Sequence, residues 1–193
     1  MEFFYDLASP SCYLAAVQLA ELVQRTPATV RFVAVVLGRL LAAAGAAPSG
    51  SAKQRYLQAD LVRWSRRLKV PLLFPSRYPM NTMQALRLCV QAAQHSEEAH
   101  QALVLRLLRS YWVEDQDLLD HRVLDHAVRS GGLPEAELLA GCAAPAVRDA
   151  LREHTESAIT RGVFDAPTFL IGSELFWGHD RLDFVEAALL GPA

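Results

Sequence analysis

An α/β core interrupted by a large all-helical insertion, in the order β-α-β … β-β-α, is the fold this sequence predicts, and three observations predict it. Residues 2–36 read as strand, helix, strand; from 37 to about 161 the strand signal nearly vanishes; and "PTFLIGSELFW" (167–177) restores it before a last helix. Residues 1–37 and 162–193 therefore supply the core domain, and 38–161 the helical insertion domain.

The apolar run Phe3-Phe4-Tyr5 gives a strand over 2–6 that stops at Asp6. Pro10 opens a helix over 10–25, whose stripe Leu14, Val17 and Leu22 faces a core. β-Branched residues make 29–36 a second strand. Within the insertion, helical runs near 53–68, 80–94, 97–111, 116–130, 134–141 and 145–161 are separated by Pro71, Pro75, Pro79, Gly131-Gly132 and Pro145. The Ala/Gly-rich stretch 42–50 reads as a mobile loop. Gly172-Ser173 is the expected hairpin turn, and 180–190 the closing helix.

At 193 residues the chain can bury roughly 70% of its unfolded surface. A net charge of −2 with interspersed signs argues against a nucleic-acid footprint or a polybasic membrane patch, leaving a small molecule as the expected partner. Met1-Glu2-Phe3 starts no basic-then-apolar leader, and no stretch approaches the ~20 apolar residues of a membrane span, so a soluble cytoplasmic protein is expected. Cys12, Cys89 and Cys142 are odd in number and show no metal-ligand spacing; Cys89 and Cys142 read as small buried apolar residues, and no metal is expected.

"FFYDLASPSCYLAA" (3–16) carries the chemistry. Thioredoxin-like proteins place a Cys-x-x-Cys pair at such a strand-to-helix junction, because a helix N-terminus stabilises a thiolate. Here the first position is Ser9 and the second Cys12. Taken alone, Ser9 is an N-cap followed by Pro10 at N1. Cys12, without a partner thiol, is either a packed inert thiol or a monothiol redox group.

The Ser-Pro junction, "GVFDAPTFLIG" and "FWGHDRLDF", with "KQRYLQADLVRW" and "FPSRYPMNTMQALR" between them, resemble the 2-hydroxychromene-2-carboxylate isomerase family over nearly the whole chain. That family is related to kappa-class glutathione transferases and shares the DsbA fold, so the resemblance implies a thioredoxin-like core. It further implies that glutathione, or another low-molecular-weight thiol, is the cofactor and that Ser9 is catalytic, hydrogen-bonding the sulfur and favouring its thiolate. A free thiol has a pKa of ~8.5; a helix N-terminus and a hydroxyl can depress it by a unit or more, each unit worth about 1.4 kcal/mol. By the same resemblance Pro167 is cis, Ala166 offers its backbone to the cysteinyl unit with Thr168 following, and His179, Asp180, Arg181 and Leu182 hold the γ-glutamyl end. Read without the family, Pro167 could begin an edge strand in trans, Asp180 could be a plain N-cap, and His179 and Arg181 could be solvated. Asp165 stands where the family usually has glycine. A carboxylate beside a thiolate opposes ionisation, so Asp165 is expected to point outward.

The implied substrate is a small electrophile. In the family reaction the thiolate adds to a ring-opened 2-hydroxychromene-2-carboxylate, the new single bond rotates, and expulsion of the thiol leaves trans-o-hydroxybenzylidenepyruvate. A carboxylate substrate needs cations; Lys53, Arg63 and Arg87 are candidates, with Tyr56, Trp64 and Asn81 as shape or hydrogen-bond partners. Alternatively Arg63 pairs with Asp60 and Trp64 belongs to the core. Relatives often carry an asparagine before Lys53, which "AAGAAPSGSA" lacks. Two other readings stay open: a kappa-like transferase that releases the conjugate, and a DsbA-type disulfide oxidoreductase or thiol-binding protein, disfavoured by Ser9. The resemblance also implies a homodimer.

Overall fold

The computed structural model describes residues 1–46 and 50–191. Strand β1 (Glu2–Tyr5), helix α1 (Pro10–Arg25) and strand β2 (Arg31–Ala34) come first. They are followed by α2 (Leu37–Ala43), α3 (Ser51–Leu68), α4 (Met83–Ala92), α5 (Glu97–Trp112), α6 (His121–Ser130), α7 (Glu135–Gly141) and α8 (Pro145–Thr160). The hairpin β3 (Thr168–Ile171) and β4 (Glu174–Trp177) then leads to α9 (Leu182–Leu190). The sheet runs β2-β1-β3-β4. β1 is parallel to β2, with Phe3 opposite Phe32, and antiparallel to β3, with Phe3 opposite Phe169. Strands from the two ends of the chain thus lie side by side, and the helices between them leave and rejoin the sheet.

Period-two placement explains the core of that sheet. Phe3, Tyr5, Phe32 and Phe169 share one face; Phe3 meets Phe32 edge-on at 5.0 Å and stacks on Phe169 at 5.1 Å. Each of these rings is buried, which stabilises the fold by about 2 kcal/mol per ring. Tyr5 carries its hydroxyl into the interior, where it meets His100 Nε2 of α5 at 3.0 Å.

β2 is an edge strand, and the insertion covers its open side. The Phe32 N–H donates to the Glu97 carboxylate (3.0 Å), Gln101 donates to the Val30 carbonyl (2.8 Å), and the Val36 N–H donates to the Thr155 hydroxyl (3.1 Å). Side chains of α5 and α8 thereby satisfy backbone groups that would otherwise template another strand. A cavity of about 210 Å³, lined by Arg31, Phe32, Glu97, His100 and His154 among others, lies along this edge.

Several expectations change. Helix α2 was not expected, because no local cap announces it: Val36 has no capping side chain, and the Leu37 N–H donates instead to Asp6, distant in sequence, at 2.8 Å. The expected loop at 42–50 accordingly starts inside α2, and its residues 47–49 lie outside those described. The helix expected over 116–130 begins only at His121, since Asp117 and Asp120 accept bonds from Leu119 N and Arg122 N and turn the chain first. The last helix starts at Leu182, and β2 is shorter than the expected 29–36. Among the described residues no helix is long and apolar enough to cross a membrane, and no three His, Cys, Asp or Glu side chains gather as a metal site.

Candidate thiol-binding site

The turn from β1 into α1 is fixed by Asp6. This buried carboxylate accepts hydrogen bonds from Ala8 N (2.9 Å), Leu37 N (2.8 Å) and the Thr82 hydroxyl (2.9 Å). Burial pushes its pKa up, and the three donors oppose that rise. Thr82 precedes α4, yet its hydroxyl goes to Asp6 rather than to its own helix; Asn81 caps the first turn instead by accepting from Met83 N at 3.0 Å. From α5, the Trp112 indole donates to the Leu7 carbonyl at 2.9 Å.

This frame places Ser9 as the N-cap of α1, with Pro10 at the first helical position. Ser9 is only 5% exposed. Its Oγ accepts from Cys12 N at 3.4 Å and donates to the Ala166 carbonyl at 3.0 Å. Ser9 is therefore a cap, and its hydroxyl also faces the second half of the expected site. Cys12 is completely buried, and burial drives its thiol far above the ordinary range, so it is a packed apolar group with no partner thiol.

The Ala166–Pro167 peptide is cis, as is Tyr78–Pro79. Thr168 donates to the Asp165 carbonyl at 2.7 Å, and the Gly178 N–H donates to the Pro167 carbonyl at 3.0 Å, so this loop is tied to the turn between β4 and α9. Asp165 does not point outward. It is half-buried, and its carboxylate accepts from the Ala166 N–H at 2.7 Å. The physical reason is local: a short carboxylate preceding a donor amide bonds its own backbone more readily than it extends into water. Burial raises the Asp165 pKa, while the Ala166 N–H and the adjacent Trp177 side chain oppose the rise.

Gly178 adopts φ +113°, and a Cβ there would meet Asp180 Oδ1 at 2.5 Å, so only glycine brings the chain round. Asp180 pairs with the Arg181 guanidinium at 2.7 Å and does not cap α9, whose N-cap is Arg181. The His179 carbonyl accepts from Gln18 of α1 at 3.4 Å. Its imidazole stands edge-on to Trp64 of α3 at 5.3 Å, with Nε2 buried and without a hydrogen bond, and burial lowers its pKa. Leu182 is a core residue.

Of the residues singled out in the sequence, Ser9 and Ala166 are bonded directly, Pro167 and Thr168 share the Ala166 loop, and the segment that leads into residues 179–182 is tied to that loop and to α1 through Gly178 and His179; Asn81 adjoins Thr82, which bonds Asp6. Trp64 enters through His179 as well as packing on the core. Lys53 and Tyr56 lie exposed on α3, and Asp60 pairs with Arg63 at 3.2 Å. Arg87 is elsewhere, half-buried toward Cys142 at the end of α7. Asp6 and Thr82 are not among the expected site residues; the signal for Asp6 is an acidic residue ending a buried strand.

Residues 1–190 match the DSBA-like thioredoxin domain family. The chain belongs to that family. Within it, the chain is 30% identical over 194 residues to a 2-hydroxychromene-2-carboxylate isomerase of Sphingobium xenophagum, covering 98% of this chain and 97% of the relative. It is equally 30% identical over 198 residues to the Pseudomonas putida isomerase of that name, covering 98% and 93%. A solved 2-hydroxychromene-2-carboxylate isomerase superposes with a TM-score of 0.88 at 29% identity, covering 97% of this chain and 92% of that one. These matches make the chain an enzyme of the isomerase family. Glutathione S-transferase kappa 1 of Homo sapiens is 22% identical over 205 residues, covering 99% of this chain and 90% of the relative. The cytosolic disulfide reductase DsbM of Pseudomonas aeruginosa, solved with GSH, shares the fold at a TM-score of 0.66 and 19% identity, each chain covered to 96%.

Proposed function

We propose that this protein interconverts 2-hydroxychromene-2-carboxylate and trans-o-hydroxybenzylidenepyruvate in the cytoplasm, using glutathione or another low-molecular-weight thiol. The observation that carries the reading is the Ser9 hydroxyl, buried at the start of α1 with its hydrogen directed at the carbonyl before a cis-proline. The residues fit a thiol: the Ser9 hydroxyl stands at the positive end of a 16-residue helix, and Cys12, the thiol nearest it in sequence, is buried without a partner thiol. When bound, the thiol supplies the nucleophile that makes the substrate's double bond rotatable and is then regenerated.

The chain's own part is to ready and shield that sulfur. Ser9 Oγ swings its hydrogen from the Ala166 carbonyl to the sulfur, while the helix end favours negative charge there. The Asp6 bonds hold the backbone of the turn that carries Ser9. A substrate carboxylate needs a cation, for which Lys53, exposed on α3, is our candidate, with Tyr56 on the same helix and Asn81 ahead of α4 as shape or hydrogen-bond partners for the substrate. The Asp180–Arg181 pair offers the thiol's amino-acid end one group of each sign.

The ultraviolet absorbance of glutathione thiolate, titrated against wild type and Ser9→Ala at neutral pH, tests the site: a bound thiolate in wild type and its loss in the variant are expected. No thiolate, or equal signals, rejects the role of Ser9. Thiol-dependent equilibration of 2-hydroxychromene-2-carboxylate tests the reaction, and Ser9→Ala should slow it by about 100-fold. Conjugation of model electrophiles without that equilibration would instead indicate a transferase.

A further inference from the structure

Both backbone groups of Ala166 are occupied by the protein itself. The carbonyl takes the Ser9 hydroxyl at 3.0 Å, and the N–H is taken by the Asp165 carboxylate at 2.7 Å. These two contacts differ in kind. The first joins neutral groups and ends when Ser9 rotates. The second is a short, charge-assisted bond, stronger than one an uncharged peptide carbonyl could make to the same N–H.

A thiol carried on an extended peptide aligns with an X-cis-Pro backbone as an added strand does, giving its N–H to the Ala166 carbonyl and its C=O to the Ala166 N–H. The first exchange is complementary, because it releases the Ser9 hydrogen for the sulfur. The second meets a carboxylate already in place. We propose, resting on the thiol reading above, that Asp165 is a specificity-determining residue that occupies the Ala166 N–H, weakens binding of peptide thiols such as glutathione, and raises the pKa of the bound sulfur. Bound peptide must displace the carboxylate, which then faces the sulfur side of the loop.

Two substitutions separate the contributions. Asp165→Asn keeps an oxygen for the Ala166 N–H but removes the charge; Asp165→Ala removes both. Calorimetric titration of the purified proteins with glutathione should give the tightest binding to Asp165→Ala, about tenfold above wild type, with Asp165→Asn between them. S-methylglutathione, which has no ionisable sulfur, should show the same order, because the competition is for the peptide carbonyl. The thiolate absorbance of bound glutathione should persist to lower pH in both variants, which a purely structural role for Asp165 would not produce. Equal or weaker binding by Asp165→Ala, with wild type binding normally and Ser9→Ala losing the thiolate, overturns the role of Asp165 alone. Absence of binding by all of these proteins overturns it together with the thiol reading.

Discussion

The turn that carries Ser9 receives hydrogen bonds from the starts of α2 and α4 and from the end of α5, whereas the turn from Gly178 to Arg181 rests on the Pro167 carbonyl, one 3.4 Å contact from Gln18, the packing of His179 on Trp64 and a local ion pair. One turn is buried and tied to distant elements by several short hydrogen bonds; the other is half-exposed and tied to them by fewer. Under the proposed function, the reacting end of a thiol meets the more firmly held turn, and its recognition end the more exposed one.

The comparison breaks most visibly at Asp6. Asp6→Ala strands the Ala8 and Leu37 amides and the Thr82 hydroxyl, so urea denaturation should show a loss of about 3 kcal/mol. An unchanged midpoint would mean that the turn does not depend on these bonds.

Acid should loosen the same side of the molecule. His100, beside the Tyr5 hydroxyl on the strand that leads to Asp6, has its pKa pushed down to about 4 by burial. A base whose folded pKa lies below its ordinary 6.5 is neutral when folded and gains its proton more readily on unfolding. Its contribution is complete above pH 6.5 and disappears as pH falls through about 4, a loss of about 3 kcal/mol. Stability measured across that interval should fall steeply in wild type and less in His100→Gln.

Smaller effects are expected at the second turn. Gly178→Ala meets both a positive φ and the Asp180 carboxylate, and should cost about 2 kcal/mol while weakening thiol binding. Arg181→Ala breaks an ion pair whose side chains are 50% and 32% exposed, so stability should change by less than about 0.5 kcal/mol. Glutathione affinity should still drop, and an Arg181→Ala variant that binds normally would remove this turn from the site.

The same contrast governs what the sequence disclosed. Helix α1 ends where its pattern says, with Ser9 and Pro10 at one end, and the β3–β4 turn sits at Gly172-Ser173, because the determinants are contiguous. Helix α2 was hidden because its first donor is satisfied from Asp6, and Thr82 because its hydroxyl leaves its own helix. Arg87 carries the right charge but sits on the α7 side of α4, a placement that only packing decides. Asp165 was misjudged for the opposite reason. Repulsion from a thiolate would turn the carboxylate outward, but the amide of the next residue is nearer.

The shielding of β2 by Glu97, Gln101 and Thr155 has a consequence for engineering. Excising the helices to obtain a minimal redox scaffold would uncover a ready-made seam for intermolecular β-pairing, so the trimmed chain should precipitate rather than behave as a small independent module. In this protein the segment inserted into the sheet doubles as its insulation.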